Sequence, residues 1–212
     1  MHIPIAVKVC GLTRLEDIEL ALELGARYFG FIVWPKSPRA LSWERACELA
    51  LAVPKGSRVV VDVETPSDVL AERVKGPFDF YQIHTSLDTG WATLAAWSGL
   101  AGMDRLWLAP RIPPAESLDA GVFAFCDHFL LDTYDPKQHG GTGRTGDWSR
   151  FYDYKMRYPQ KHWILAGGLN PDNIAAACQQ SCAEIVDVNS GVESAPGIKD
   201  HDKLKAFFKA IN

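Results

Sequence analysis

Eight short apolar runs, amphipathic helical segments between them and a length of 212 residues predict an α/β protein, one compact (β/α)8 barrel of the TIM type. The chain is shorter than the ~250 residues usual for that barrel. An open doubly wound sheet fits the same local alternation. Its dinucleotide-binding form, however, needs a Gly-x-Gly-x-x-Gly turn after the first strand, and Cys10-Gly11-Leu12-Thr13 holds a single glycine. No internal repeat, low-complexity segment or linker interrupts residues 1–212, which are expected to form one barrel domain.

Strands are expected at Ile5–Cys10, Tyr28–Val33, Arg58–Val63, Phe80–His84, Arg105–Ala109, His128–Asp132, Trp163–Ala166 and Ile185–Asn189. Helical spacing of apolar residues predicts helices at Leu15–Leu24, Trp43–Ala52, Ser67–Val74, Trp148–Met156, Pro171–Cys178 and about Asp202–Ala210. Gly25 stands where the first helix should end, Ser42 is placed to cap the second, and Asn170-Pro171 reads as a cap followed by a first-turn proline. Segments Thr89–Gly102 and Pro113–Gly121 also read as helical.

Within a strand, residues two apart share a face. Lys8 and Cys10 fall on one face, as do Gln82 and His84, His128, Leu130 and Asp132, and Asp187 and Asn189. The opposite faces carry Val7 and Val9, Tyr81 and Ile83, Phe129 and Leu131, Val186 and Val188. The apolar faces are expected under helices and the polar ones inside the barrel, leading to its C-terminal mouth, where such barrels keep their active sites.

The net charge of −4, with Lys and Arg scattered, argues against nucleic acid, which needs a basic stripe. No run approaches the ~18 apolar residues of a membrane span, and Met1-His2-Ile3-Pro4-Ile5 lacks a signal-peptide layout. A cytoplasmic protein is expected, as a monomer or weak homodimer. Five cysteines, an odd number without zinc-ligand spacing, read as reduced thiols, with no metal site.

Cys10 closes the first strand just before Gly11, and Asp132 closes the sixth. A thiol and a carboxyl at two strand ends can exchange protons with a substrate. Taken alone, Cys10 also reads as a small buried strand residue, and Asp132 as a structural carboxylate or helix cap. The glycine turns after the last three strands also read two ways, as plain turns or as backbone N–H groups that let a phosphate approach.

The segments Lys8-Val9-Cys10-Gly11-Leu12-Thr13, Gly30-Phe31-Ile32, Ser37-Pro38-Arg39, Leu131-Asp132, Gly140-Gly141-Thr142-Gly143, Asp147-Trp148, Ala166-Gly167-Gly168-Leu169-Asn170 and Asp187-Val188-Asn189-Ser190-Gly191-Val192-Glu193 together resemble the phosphoribosylanthranilate isomerases of tryptophan biosynthesis. The resemblance implies an Amadori rearrangement, without a cofactor, of a phosphorylated aminoaldose carrying anthranilate to the 1-deoxyketose. It makes Cys10 the general base at C2, Asp132 the general acid at the ring oxygen, and Arg39 the partner of the anthranilate carboxylate. Phosphate is expected among Gly141, Gly143, Gly167, Gly168, Ser190 and Gly191, with His84 and Asp187 as further substrate-binding residues.

Lys8, on the face of Cys10, is expected either to lower the thiol pKa or to pair with a carboxylate. Burial is expected to raise that of Asp132. The chain departs from the family pattern at Gln82-Ile83-His84-Thr85, at Asn189 where serine is common, and at Trp107-Leu108-Ala109-Pro110-Arg111. The competing readings are a different phosphate-sugar barrel, such as indoleglycerol-phosphate synthase, whose Lys-and-Glu layout is not evident, and a non-catalytic barrel that binds a phosphorylated ligand.

Overall fold

The computed structural model describes residues 4–113, 115–132 and 148–211. Eight parallel strands, β1 (Ala6–Val9), β2 (Tyr28–Ile32), β3 (Arg58–Val63), β4 (Phe80–Thr85), β5 (Leu106–Pro110), β6 (His128–Asp132), β7 (His162–Ala166) and β8 (Ile185–Val188), form a closed barrel in sequence order. Closure is made by β1 against β8, with Lys8 level with Asp187 and Val9 with Val188.

Among the described residues, seven α-helices pack outside the strands: α1 (Leu15–Glu23), α2 (Trp43–Ala50), α3 (Ser67–Arg73), α4 (Trp91–Ala101), α5 (Trp148–Arg157), α6 (Ile174–Ser181) and α7 (His201–Lys209). The main apolar core lies between strands and helices. It contains Val7, Val9, Tyr81, Ile83, Phe129, Leu131, Val186 and Val188, the strand faces expected to lie there. Inside the barrel, Cys10, Val59, Val61, Trp107, Ala109, Leu130, Ile164 and Ala166 form a second cluster. Towards the strand starts, Tyr28, Phe80, Trp107 and His128 pack ring against ring. The polar residues sit at the other end.

Local chemistry accounts for most boundaries. Ser42 accepts a hydrogen bond from the Arg45 N–H at 3.1 Å and starts α2. Gly25 follows α1 at φ +86°, a conformation that costs glycine little. Thr89–Gly102 contains the expected helix, α4, whose Trp97 donates to the Thr65 carbonyl at 2.8 Å.

Two helix expectations need correction. Pro113–Gly121 holds no α-helix among the described residues; a 3₁₀ turn at Ala120–Ala124 follows an irregular stretch. Consecutive prolines supply no N–H donors there, and Asp119 ties its own backbone into a turn by accepting from Gly121 N–H at 2.8 Å. The helix expected at Pro171–Cys178 begins only at Ile174. Asn170 Oδ1 caps the preceding turn instead, accepting from the N–H groups of Asp172 and Asn173 at 2.9 and 3.2 Å. Beyond β8, a small antiparallel hairpin, β9 (Glu193–Ala195) with β10 (Ile198–Lys199), was not expected.

Gly30 on β2 has a packing reason to be glycine. A Cβ there would lie 2.9 Å from Cys10 Sγ and 3.1 Å from Lys8 Nζ. Gly30→Ala should therefore cost about 1–3 kcal/mol, the usual penalty for overfilling a packed interior, and lower the urea midpoint. An unchanged midpoint would show that the barrel has slack beside Cys10.

Candidate active site

At the C-terminal ends of the strands lies a cavity of about 490 Å³, lined among others by Cys10, Arg39, His84, Asp132, Gly167, Gly168, Asp187, Ser190 and Gly191. Every candidate residue that the structure describes is thus brought to one place. Gly141 and Gly143 lie outside the described residues. A neighbouring hollow of about 430 Å³ shares His84, Arg111 and Asp132 with it.

Beneath Cys10, the fully buried Lys8 donates to Asp187 Oδ1 at 2.8 Å. Lys8 is therefore the inward lysine paired with a carboxylate. Burial alone would lower its pKa, but the charge of Asp187, and then Cys10, holds it above its ordinary value. The other expectation for Lys8 holds for its own influence but not for the net result. Lys8 does pull the Cys10 thiol down, yet loss of water around the sulfur is the larger influence, with Asp187 adding to it, and the thiol is pushed up.

Asp132 opens to solvent on the side of the mouth, while the barrel rim encloses the rest of it. That enclosure, and then the negative charge of Asp187, pushes its carboxyl up, against a smaller pull from Arg111. The direction is the one expected of a general acid. His84 is held near 4 by burial, with Lys8 and Arg111 adding to the effect, so the ring is neutral at pH 7. Its 2.9 Å contact from Gln82 Nε2 to Nε2 fits a ring whose proton is on Nδ1.

Arg39 is held from the side. Its Nε donates to Glu193 Oε1 at 2.9 Å and its Nη2 to Oε2 at 2.6 Å. This bidentate grip uses one edge of the guanidinium and leaves the end-on edge, Nη1 with the second Nη2 hydrogen, for another anion. Glu193 also takes Lys199 Nζ at 3.0 Å and Gly197 N–H at 3.1 Å. The trio Arg39, Glu193 and Lys199 therefore carries a net positive charge beside the cavity.

Two glycines shape the rim. A Cβ on Gly191 would lie 2.0 Å from the Leu169 carbonyl oxygen, so only glycine lets these loops meet; one on Gly168, at φ +62°, would touch nothing within 4 Å.

Glu193, Lys199 and Arg111 went unassigned as site residues in the sequence reading. Glu193 lies 154 residues from Arg39, a pairing without any local pattern. Its nearest signal was its place at the end of the Asn189–Glu193 segment.

A closed eight-stranded parallel barrel whose C-terminal mouth gathers a thiol, a carboxyl and an oriented guanidinium in one cavity is a (β/α)8 barrel of the TIM type. Comparison with known proteins makes the class specific. Residues 7–210 match the family model for N-(5'phosphoribosyl)anthranilate (PRA) isomerase. An N-(5'-phosphoribosyl)anthranilate isomerase from Paracoccus denitrificans is 37% identical over 209 residues, covering 96% of this chain and 95% of the relative. Among solved structures, phosphoribosyl anthranilate isomerase from Thermotoga maritima is 31% identical with a TM-score of 0.79, covering 98% of each chain. Another phosphoribosyl anthranilate isomerase, 28% identical with a TM-score of 0.75 and 98% coverage of each chain, was solved in complex with reduced 1-(o-carboxyphenylamino)-1-deoxyribulose 5-phosphate. The chain belongs to the phosphoribosylanthranilate isomerase family, enzymes of tryptophan biosynthesis.

Because burial outweighs Lys8 at Cys10, alkylation of this thiol should be slow at neutral pH. Its rate should rise through a midpoint above the ordinary 9.0, since the thiolate is the nucleophile. Mass spectrometry of the Cys10 peptide after timed iodoacetamide exposure across pH measures it. A midpoint near neutrality would mean that Lys8 dominates after all.

Proposed function

We propose that this protein converts N-(5'-phosphoribosyl)anthranilate to 1-(o-carboxyphenylamino)-1-deoxyribulose 5-phosphate, with Asp132 as general acid and Cys10 as general base. The observation that carries the reading is that Cys10, next to β1, and Asp132, on β6, line one cavity with an oriented guanidinium at its edge. The reaction begins as Asp132 gives its proton to the furanose ring oxygen. The bond from C1 to that oxygen breaks, and the nitrogen lone pair forms a C1=N iminium. Cys10 as thiolate takes the proton from C2; the C–H electrons become the C1=C2 bond, and the iminium electrons return to nitrogen. The enol then loses its hydroxyl proton, C1 gains one, and the ketose results.

Both groups suit these roles by environment. A carboxyl pushed up is a better proton reservoir near neutrality, and a thiolate formed against burial is correspondingly basic. The substrate carries a phosphate at one end and an aryl carboxylate at the other. The loops holding Gly167, Gly168, Ser190 and Gly191 follow the last two strands, where this barrel usually binds phosphate. The end-on edge of Arg39 suits the carboxylate. The ligand of the solved relative, a carboxyphenylamino sugar phosphate, has the same two anionic ends, which supports a substrate of this kind. His84 and Asp187 complete the cavity wall, and the whole chain acts as one cytoplasmic barrel domain that needs no cofactor.

The direct test is freshly generated phosphoribosylanthranilate, whose fluorescence should disappear faster with purified protein; no acceleration over the uncatalysed rate would sink the reading. Cys10→Ser and Asp132→Asn should each cut kcat by roughly 10²–10⁴, the reach of one positioned base or acid, while inorganic phosphate still binds. A folded Cys10→Ser protein with the parent kcat would leave this thiol a core residue.

A further inference from the structure

Lys199 on β10 is fully buried in its side chain and reaches back to the catalytic mouth. Its Nζ donates to Asn189 Oδ1 at 3.0 Å and to the Asn189 carbonyl at 3.3 Å, besides Glu193. An ammonium has donors only. The end of the Asn189 amide that faces Lys199 must therefore be its oxygen, which fixes the side chain's orientation without reference to any other contact. The amide nitrogen, with two N–H donors, points the other way. Asn189 lines the catalytic cavity, and no protein acceptor for that nitrogen occurs among the described residues.

The position of that donor is informative. Val9 is level with Val188 across the β1–β8 seam, and Cys10 N–H donates to the Val188 carbonyl at 2.9 Å. Cys10 and Asn189 are the next residues on the two strands, side by side at the mouth. Ser190 and Gly191, placed above at the phosphate, come immediately afterwards. Asn189 thus stands next to Cys10 at the mouth and one residue before the loop proposed to hold the phosphate, so its amide lines the part of the cavity where the carbon that gives its proton to the thiol would sit.

We propose that the Asn189 amide nitrogen donates a hydrogen bond to the C2 oxygen of the substrate, and that Lys199 is the positioning residue that keeps this amide turned toward the cavity. The inference rests on the isomerase reaction proposed above. C2 carries the hydroxyl that becomes the ketone, so an N–H on its oxygen draws electron density from C2 while Cys10 removes the proton. It then binds the carbonyl oxygen, a stronger acceptor, in the product. The contact grows as the reaction proceeds and should appear in kcat more than in KM.

The test uses the full-length protein with phosphoribosylanthranilate, and with two ketose-derived ligands, a C2-alcohol analogue and its 2-deoxy counterpart. Asn189→Ala should lower kcat about ten-fold or more, the usual reach of one lost hydrogen bond, with little change in KM or in inhibition by inorganic phosphate. It should weaken the C2-alcohol ligand but not the 2-deoxy one. Asn189→Asp keeps the size and the acceptor for Lys199 but has no donor, and should lose kcat as well. Lys199→Met should lower kcat in the parent but lower it no further in Asn189→Ala, where its remaining effect, through Glu193 and Arg39, should fall on KM. Parent-like kcat in folded Asn189→Ala or Asn189→Asp would overturn the proposal. So would equal weakening of both ligands, or a loss of phosphate inhibition, which would put the amide on the phosphate. A parent protein that does not turn over phosphoribosylanthranilate would instead refute the reaction.

Discussion

The buried ion pair of Lys8 with Asp187, 2.8 Å across the β1–β8 seam, is the contact on which the site depends. A barrel interior has no room to solvate a stray ammonium, and removing one partner of such a pair typically costs about 3–5 kcal/mol. The pair therefore fixes which strands close the barrel, and in what register. It also fixes what lies above it, because Cys10 and Asn189 are the next inward residues on those two strands. Gly30 on β2 completes the arrangement by leaving room for both the lysine and the thiol.

The same economy of charge operates at the rim. Arg39 and Glu193 alone would be a neutral pair with little hold on an anion. Lys199, buried against the same carboxylate, restores a positive charge while locking the guanidinium by one edge. Asp62, also on the cavity wall, is taken up by Arg73 and by Thr65 Oγ1 at 2.8 Å. Cations and carboxylates around the mouth are thus mostly paired with each other, which sets apart Asp132 and the Cys10 thiol, the groups proposed to exchange protons with the substrate.

Much of this could be read from the sequence because barrel strands impose a period of two. The face of Lys8 and Cys10, of Gln82 and His84, and of Asp187 turned inward as that period requires, and the apolar faces met the helices. Boundaries were less legible where side chains compete for the backbone, as Asn170 and Asp119 do, since such contests are settled by turn geometry rather than periodicity. Least legible were contacts made by closure. Nothing near Arg39 in the chain announces Glu193, and nothing near Asn189 announces that Lys199 will orient its amide. The net direction of the thiol pKa was illegible for a related reason. Proximity to Lys8 follows from spacing, but the completeness of burial around Cys10, which decides the sign, follows from the packing of the whole barrel.

In the proposed mechanism the reactive form is thiolate with protonated carboxyl, and because burial pushes the thiol up while a carboxyl ionises first, that form is a minor population at every pH. Its fraction is constant between the two pKa values and falls outside them, so the acid limb of the rate profile belongs to the carboxyl and the alkaline limb to the thiol. The decisive measurement is kcat/KM for phosphoribosylanthranilate across pH, set beside the alkylation midpoint of Cys10. The account predicts a plateau through neutrality and an alkaline decline that begins at that midpoint. A rate that climbs through neutral pH as the thiol ionises, without decline where Cys10 titrates, would contradict it.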